Sequence, residues 1–193
     1  MRGVMLKEGL AERKGFVVWL EGLSGSGKTT LSQGLATRLR GAGWKVELLD
    51  GDEVRRMFSP ELGFTRKDRE FHARRVSYVA RMLARNGVAT IVAMITPYET
   101  SRQAARADVE TSFEEIWLRC PLEICQARDP KGIYHRAAGG EVHRMTGLDD
   151  PFEEPLNPDL TVDTANVPVG QSLGQILEHL ANRGLIQRMA PPA

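Results

Sequence analysis

The sequence predicts an α/β fold: a three-layer sandwich in which helices cover both faces of a mostly parallel, five-stranded sheet. Two observations lead to this prediction. Short apolar runs of strand length alternate with stretches whose apolar residues recur at the spacing of one helix face. The first run leads directly into a glycine-rich turn and a helix. Alternation of this kind is typical of parallel strands joined by right-handed helical crossovers.

The length and the net charge of the chain limit the class of protein. The 193 residues suit a single domain spanning 1–193, with a lead-in at 1–15 that has room for a short helix and a loose tail at 188–193. The formal net charge is +1, so no bulk field would recruit nucleic acid or an anionic membrane. No apolar run reaches the length of a signal or a membrane span, and we expect a cytoplasmic protein. Cys120 and Cys125 are expected to be buried thiols, not a disulfide framework or a zinc site.

A phosphate-binding loop follows the first predicted strand. Gly22, four residues and then Gly27-Lys28-Thr29 match the pattern G-x-x-x-x-G-K-[ST], in which backbone N–H groups surround a polyphosphate. In this pattern the Lys charge meets the outer phosphates and the hydroxyl holds magnesium. The spacing does not fit the dinucleotide pattern G-x-G-x-x-G. The loop residues expected to bind ATP are Gly22, Leu23, Ser24, Gly25, Ser26, Gly27, Lys28, Thr29 and Thr30.

Two acids follow the second predicted strand. Leucines at four-residue spacing predict a helix after the loop that ends near 41–43, and residues 46–49 form the next apolar run. That run ends in Asp50-Gly51-Asp52, and ligands bind at the C-terminal ends of parallel strands. We expect one carboxylate to hold magnesium and the other to accept a proton from an acceptor hydroxyl. Either assignment of Asp50 and Asp52 fits the sequence.

A cluster of basic residues surrounds Gly63-Phe64-Thr65, where a short helix and a longer one are predicted over 53–87. A guanidinium group can donate two parallel hydrogen bonds to sulfate or phosphate oxygens, so the cluster predicts an anionic acceptor. Part of the cluster is expected to be a solvent-exposed helix face. The apolar stripe of the longer helix consists of Val76, Val79, Ala80 and Leu83. The basic residues are Arg55, Arg56, Arg66, Lys67, Arg69, Arg74 and Arg75.

The third strand is predicted over 88–95, where nearly every residue is apolar or β-branched, as in a strand buried on both faces. Thr96-Pro97 follows it directly. If this strand lies beside the first, Thr96 occupies the position where phosphate-loop proteins usually carry a magnesium-binding Asp. The carboxylates of the site must then come from Asp50 and Asp52.

A lid is predicted over 129–150, where periodicity vanishes while glycines and basic residues accumulate. Loops of this length are usually lids or disordered segments, and a lid suits an enzyme that excludes water from a transferring phosphoryl group. The remaining predicted elements are a helix at 99–110, a strand at 113–119, a helix at 121–128, a strand at 160–162 and a helix around 173–180.

Phosphoryl transfer is the chemistry that these features predict. It needs positioning and charge neutralisation, which a phosphate loop, a metal, Lys28 and lid cations provide. A GTPase is disfavoured because the sequence carries no guanine-reading or switch signature. A nucleotide-binding regulator that transfers nothing is the rival from a different class, and the paired acids with the basic lid favour catalysis over it.

Seven segments together form a more specific pattern than the loop alone: 19–31, 49–55, 62–65, 68–69, 74–76, 127–134 and 146–153. Through them the chain resembles the adenylyl-sulfate kinase family. The resemblance implies a phosphate-loop kinase fold with a mobile lid. It also implies transfer of the γ-phosphate of MgATP to the 3′-hydroxyl of adenosine 5′-phosphosulfate (APS), a step of sulfate activation. It is compatible with a homodimer and with a functional link to an ATP sulfurylase.

The resemblance also implies roles for individual residues. Arg55 and Arg69 would hold the acceptor, Phe64 would stack on its adenine, and Arg128 would close over ATP together with the lid. The implied acceptor site comprises Asp52, Arg55, Phe64, Arg69, His72, Ile95, Thr96, Lys131 and Met145. The residues expected to act in catalysis are Lys28, Asp50, Asp52 and Thr96, and those expected to hold magnesium are Thr29 and Asp50.

Four positions depart from the family pattern. His72 stands where an Asn is usual, Thr96 where a Ser is usual, Glu99 where an Arg is usual and Met145 where an aromatic residue is usual. Thr96 keeps the hydroxyl, and we expect Glu99 to turn outward or to pair with Arg102, one helical turn on. Most of these changes lie on the presumed acceptor side. The runner-up prediction is therefore a kinase of the same family that acts on another anionic nucleotide or on a sugar acid.

Overall fold

The computed structural model describes residues 13–189, and within them five strands form one all-parallel sheet. The spatial order is β2-β3-β1-β4-β5, so β1 is central and pairs with β3 on one side and β4 on the other. This confirms the predicted sheet and places the third strand beside the first, as the interpretation of Thr96 requires. The strands are β1 Phe16–Glu21, β2 Val46–Asp50, β3 Ala89–Ala93, β4 Ser112–Arg119 and β5 Leu160–Asp163.

Seven helices lie within the described range and cover both faces of the sheet. They are α1 Lys28–Gly41, α2 Gly51–Phe58, α3 Arg66–Ala84, α4 Glu99–Asp108, α5 Leu122–Arg128, α6 Ile133–Ala138 and α7 Val169–Asn182. α1 and α7 pack on one face, through residues such as Leu35 and Ile176. α3 and α4 pack on the other face, through residues such as Val76 and Ala105. The predicted three-layer sandwich is confirmed.

The central strand β1 explains the continuous apolar run of the sequence. Phe16 and Leu20 face the cluster formed with α1 and α7, whereas Val17 and Trp19 face the cluster formed with α3 and α4. All four side chains are fully buried. A strand covered on both sides has no solvent-facing positions for polar residues, except at its ends. The C-terminal ends of β1, β2 and β3 meet at one edge and bring the functional segments together there.

The lid, residues 129–150, differs from its prediction. It was expected to lack regular structure, but it contains the helix α6. Asp129 supports this helix, because its carboxylate accepts hydrogen bonds from the backbone N–H groups of Tyr134 at 3.2 Å and His135 at 3.0 Å. Tyr134 and Met145 are buried, so the lid also has apolar anchors that we did not expect. A helix of six residues is too short to show a periodic pattern.

The chain ends also bear on the predictions. The expected short helix in the lead-in lies mostly outside the described residues, and the part within them, 13–15, has no regular structure. The tail was expected to be loose from residue 188. Instead, Arg188 donates to the side chain of Asn182 at 3.1 Å, and Met189 packs against the main core; residues 190–193 lie outside the description. None of the helices within 13–189 is long and apolar enough to cross a membrane.

Candidate active site

A cleft of about 1370 Å³ opens at the C-terminal edge of the sheet. It is lined by residues from the phosphate loop, from the start of α2, from α3, from the segment after β3 and from the lid. The structure therefore brings together almost all of the predicted site residues. The exceptions, which do not line the cleft, are Gly22, Leu23 and Ser26. These three residues belong to the part of the loop that does not face the cleft, where the Ser26 N–H donates to the Leu23 carbonyl at 3.1 Å.

The phosphate loop has the backbone geometry of an anion cradle. Gly25 has φ 81°, and a β-carbon there would lie 2.7 Å from the Cys125 carbonyl oxygen, so only glycine fits. Gly27 has φ 93°, and a β-carbon there would meet nothing within 4 Å, because this position faces the cleft. α1 begins at Lys28 without a side-chain cap, which leaves its first N–H groups available to an anion.

Lys28 lies at the centre of the loop. Its Nζ donates to the carbonyl oxygens of Gly22 at 2.9 Å and Leu23 at 2.7 Å. Burial disfavours the charged form and lowers the pKa of Lys28 to about 8, with a smaller lowering effect from Lys131. The ammonium is thus held in a poorly solvated position, where a phosphate anion would interact with it more strongly than in water.

The structure separates the two acids that the sequence left equivalent. Asp50 is the N-cap of α2: its Oδ1 accepts from the N–H of Asp52 at 3.0 Å and of Glu53 at 3.4 Å, which leaves Oδ2 uncommitted. Asp52 lies in the first turn of α2, and its carboxylate is exposed and forms a salt bridge with Lys131 of the lid. Asp50 is therefore held by its capping bonds and has one free oxygen, and Asp52 is the more exposed carboxylate.

Thr29 and Asp50 offer oxygen donors of the kind that a magnesium ion uses. Among residues 13–189 no group of three or more His, Cys, Asp or Glu side chains could hold a metal. Mg²⁺ does not need such a group, because it is usually bound through one or two carboxylates, substrate phosphates and water. The exposed hydroxyl of Thr29 and the free Asp50 oxygen are hard oxygen donors of this kind.

Thr96 is held in a strained conformation at the end of β3. It has φ 42°, which is unfavourable for a β-branched residue. β3 itself ends at Ala93, before the predicted end at residue 95. Trp19 Nε1 donates to Thr96 Oγ1 at 2.9 Å, and Arg102 Nη1 donates to the Thr96 carbonyl at 2.9 Å. Glu99 pairs with Arg102 at 2.7 Å, as expected. No sequence pattern indicated that Trp19 and Arg102 would support the site.

The acceptor side of the cleft presents an aromatic ring next to two cations. The Phe64 ring is 51% exposed, with the guanidinium carbon of Arg55 at 4.5 Å and that of Arg69 at 5.4 Å from its centroid. Arg69 is anchored by hydrogen bonds to the carbonyl oxygens of Phe64 at 3.1 Å and of Arg144 in the lid at 2.6 Å. This arrangement suits a ligand that combines a flat ring with anionic oxygens.

His72 contributes a buried imidazole to the same side. Its Nδ1 lies 2.9 Å from Ser59 Oγ, and Ser59 Oγ also accepts from Arg75 Nη1 at 3.2 Å. The Ser59 hydroxyl can both accept and donate, so it can pair with Nδ1 in either neutral tautomer of the imidazole. Nε2 is buried and has no partner among the described residues. Nothing in the sequence pointed to Ser59.

The ionisation of His72 leads to a stability prediction. Burial, supported by repulsion from Arg55 and Arg75, lowers the pKa of His72 to about 4. Below the ordinary histidine pKa of about 6.5 the unfolded chain binds a proton that the folded chain does not, so folding weakens as pH falls from there towards 4. Urea unfolding should show this loss in the wild type and a smaller one in His72→Gln. The exposed control His143→Gln should behave like the wild type, and equal pH slopes in all three proteins would contradict the assignment.

The lid contacts the phosphate loop through several side chains. The Tyr134 hydroxyl donates to the Ser24 carbonyl at 3.0 Å. Met145 packs with Cys120, Cys125 and Tyr134, although it also lines the cleft. Both cysteines are free and buried, as predicted. Arg128, just before the lid, donates to the carbonyl oxygens of Thr164 at 2.7 Å and Gly25 at 3.4 Å. Ile95 and Lys131 line the cleft as well.

Comparisons with known proteins agree on one family. The family model for adenylylsulphate kinase matches residues 14–163. An adenylyl-sulfate kinase of Synechococcus sp. (strain JA-3-3Ab) is 43% identical over 175 residues, which are 91% of this chain and 99% of the relative. A probable adenylyl-sulfate kinase of Archaeoglobus fulgidus is 50% identical over 149 residues, which are 77% of this chain and 96% of the relative.

A solved structure shows the same relationship. The APS kinase of Mycobacterium tuberculosis in complex with AMPPNP and APS superimposes with a TM-score of 0.83 and 36% sequence identity. The match covers 86% of this chain and 98% of that chain. The residues matched by the family model, 14–163, include the phosphate loop and all five strands.

Proposed function

The chain belongs to the adenylylsulphate kinase family, and on this premise we propose that it transfers the γ-phosphate of ATP to the 3′-hydroxyl of APS. The products are ADP and 3′-phosphoadenosine 5′-phosphosulfate. One observation carries the proposal: an exposed Phe64 ring next to two arginines shares a cleft with a phosphate loop. The ring suits the adenine of the acceptor, and the guanidinium groups suit its phosphosulfate.

The phosphate loop and Lys28 bind and orient ATP in this proposal. The N-terminus of α1 and the loop N–H groups surround the phosphates, and the Lys28 ammonium neutralises charge that develops on the transferring group. Arg128 adds a second cation beside Gly25. Thr29 and Asp50 would hold Mg²⁺, which when bound supplies charge neutralisation at the phosphate oxygens.

Asp52 is the proposed base for the acceptor hydroxyl. Its carboxylate is exposed to the cleft, whereas one oxygen of Asp50 is committed to capping α2. A positioned carboxylate that accepts a proton in the transition state contributes to the rate, provided that it is within hydrogen-bonding reach. Lys131 of the lid pairs with Asp52. We infer that the lid, by moving Lys131, exchanges this salt bridge for contacts to the bound phosphates and excludes water.

His72 is the proposed neutral donor to the phosphosulfate of the acceptor. The His72 side chain lines the cleft near Arg55, and its Nε2 is unpartnered within the described chain, so we assign the imidazole hydrogen to Nε2. A buried donor without a partner costs free energy, and a ligand oxygen would remove that cost. An imidazole with a pKa of about 4 donates without adding charge. Thr96 lies on the same side of the cleft, where its backbone forms a turn and its hydroxyl accepts a hydrogen bond from Trp19.

An acceptor panel tests the proposed function. With labelled ATP, APS should be phosphorylated far faster than adenosine 5′-monophosphate or gluconate. Phe64→Leu should raise the KM for APS about tenfold or more, because base stacking on an aromatic ring contributes roughly 1–3 kcal/mol, and should leave the KM for ATP unchanged.

The matched control is Phe71→Leu. Phe71 is also a half-exposed ring beside an arginine, Arg75, at 4.7 Å, but it lies outside the cleft. Its replacement should leave both KM values unchanged. If APS is inert and another acceptor is phosphorylated, the substrate is wrong and the kinase assignment stands. If no acceptor is phosphorylated while ATP binds, the chain is a nucleotide-binding regulator. A homodimer, a link to an ATP sulfurylase and a cytoplasmic location stay predictions.

A further inference from the structure

A buried cluster of acids and arginines lies beneath the cleft and plays no part in the proposed chemistry. Glu21 ends β1 directly before the first glycine of the phosphate loop, and it is 0% exposed. The cluster contains Glu21 from β1, Glu115 from β4, Glu99, Arg102 and Arg106 from α4, and Asp159 from the segment before β5. Buried acids of this kind need partners, because an isolated buried charge is costly.

The charges of the cluster do not balance. Glu99 already pairs closely with Arg102 at 2.7 Å, while Glu21 and Glu115 reach the same guanidinium only at 3.5 Å and 3.6 Å. Arg106 is occupied as well, by Asp159 at 2.6 Å and by Glu115 at 3.1 Å. Four carboxyl groups thus face two guanidinium groups. The cluster therefore carries excess negative charge, and one bound proton would reduce it.

Glu21 is the carboxyl that most needs a proton. No N–H or O–H group of the described residues donates to either of its oxygens in hydrogen-bonding geometry. Glu21 Oε2 and Glu115 Oε1 both approach Nε of Arg102, at 3.5 Å and 3.6 Å, which places the two carboxyls close to each other. Two carboxyls can form a hydrogen bond with each other only if one of them is protonated. Burial raises the pKa of Glu21 well above its usual range; Arg102 opposes this, and Glu115 and Glu99 add to it.

Arg102 connects this cluster to the acceptor side of the cleft. It is 0% exposed, and its Nη1 donates to the Thr96 carbonyl at 2.9 Å, while its Nη2 donates to the Glu153 carbonyl at 2.8 Å. Thr96 is strained at φ 42°, so it keeps this conformation only while its surroundings hold it. The direction of the Arg102 guanidinium therefore sets the geometry of Thr96.

We propose that Glu21 and Glu115 share one proton, and that this pair is a positioning element that keeps Arg102 directed at the Thr96 carbonyl. With the proton in place, the carboxyls bond to each other and leave Nη1 of Arg102 to Thr96. When the proton leaves to solvent at alkaline pH, Glu21 becomes a second buried anion beside Arg102. The guanidinium then turns towards it, and the Thr96 turn relaxes.

Loss of the shared proton should weaken binding of the acceptor and not of ATP, and this expectation rests on the proposed function. Thr96 lines the acceptor side, whereas the ATP phosphates meet the loop N–H groups and Lys28. The KM for the acceptor should therefore rise at alkaline pH with little change in the KM for ATP.

Glu21→Gln tests the idea, because glutamine is neutral and has nearly the shape of a protonated glutamate. At about pH 7 the variant should have the wild-type KM for the acceptor. At alkaline pH its KM for the acceptor should not rise as that of the wild type does. Glu114→Gln is the matched control. Glu114 is also buried on β4, but it is paired with His179 at 2.7 Å and Arg183 at 2.9 Å. This control should lower the thermal midpoint and leave the acceptor KM unchanged. An acceptor KM raised about tenfold or more in Glu21→Gln at neutral pH would overturn the proposal.

A second measurement does not depend on the substrate. In the labelled full chain, the side-chain carboxyl carbon of Glu21 should keep its protonated chemical shift at about pH 7, well above the ordinary glutamate pKa of about 4.3. The Thr96 amide signal should shift together with it on titration. An ionised Glu21 signal at neutral pH, or a Thr96 amide signal that does not shift during the titration, would overturn the proposal. If APS is inert while both signals titrate together, the positioning element stands and the substrate assignment fails.

Discussion

Lys28→Ala should lower the rate of phosphoryl transfer by roughly a few hundredfold, or about 3 to 4 kcal/mol in the barrier, while the protein remains folded. Lys28 projects into a cleft where its charge is poorly solvated, so its interaction with phosphate oxygens is stronger than in water. Its protein contacts are two loop carbonyl oxygens, which other groups or water can satisfy after the replacement. The loss should therefore appear in catalysis and not in folding.

Single-turnover transfer and thermal unfolding, measured on the same samples, separate these two effects. Lys45→Ala is the control, because Lys45 is exposed at the start of β2 and lies outside the cleft. It should leave the rate unchanged. Lys28→Arg keeps the charge but carries a larger, planar head, so it should recover only part of the lost rate. A Lys28→Ala protein that retains roughly a third of the wild-type rate would remove the loop lysine from the mechanism.

The sequence predicted best those parts of the fold that local patterns determine. β1 was visible because a strand buried on both faces must be continuously apolar, and the loop after it because glycine and lysine occur at fixed spacing. The helices α1, α3 and α7 were visible because each buries one stripe of a long amphipathic segment. α6 was missed, since six residues capped by a side chain produce no stripe.

The parts of the site that the sequence could not predict depend on contacts between distant residues. Glu21 and Arg102 are 81 positions apart, and only the pairing of β1 with β4 and the packing of α4 bring them together with Glu115. Both appear in the sequence as ordinary charged residues. The expected pairing of Glu99 with Arg102 was confirmed because it is a local contact within one helical turn. The contacts of Ser59 with His72 and with Arg75 likewise join residues that no local pattern links.

Asp50→Asn and Asp52→Asn should both lower turnover, but for different reasons. Asparagine caps helices as well as aspartate does, so Asp50→Asn should keep α2 intact while removing the charge of the free oxygen. The concentration of Mg²⁺ needed for half-maximal activity should rise, and high Mg²⁺ should restore much of the rate. Asp52→Asn should lower kcat by roughly a hundredfold or more, because it removes the proposed base, and no Mg²⁺ concentration should restore it.

Glu53→Gln is the control for both acids, because Glu53 lies in the same first turn of α2 and is exposed. It should change neither kcat nor the Mg²⁺ dependence. The two variants also differ in their effect on the lid: Asp52→Asn removes the salt bridge to Lys131, whereas Asp50→Asn leaves it in place. A Mg²⁺ requirement that rises in Asp52→Asn and not in Asp50→Asn would exchange the two roles. Normal turnover in both variants would mean that Asp50 and Asp52 have only a structural role in the turn between β2 and α2.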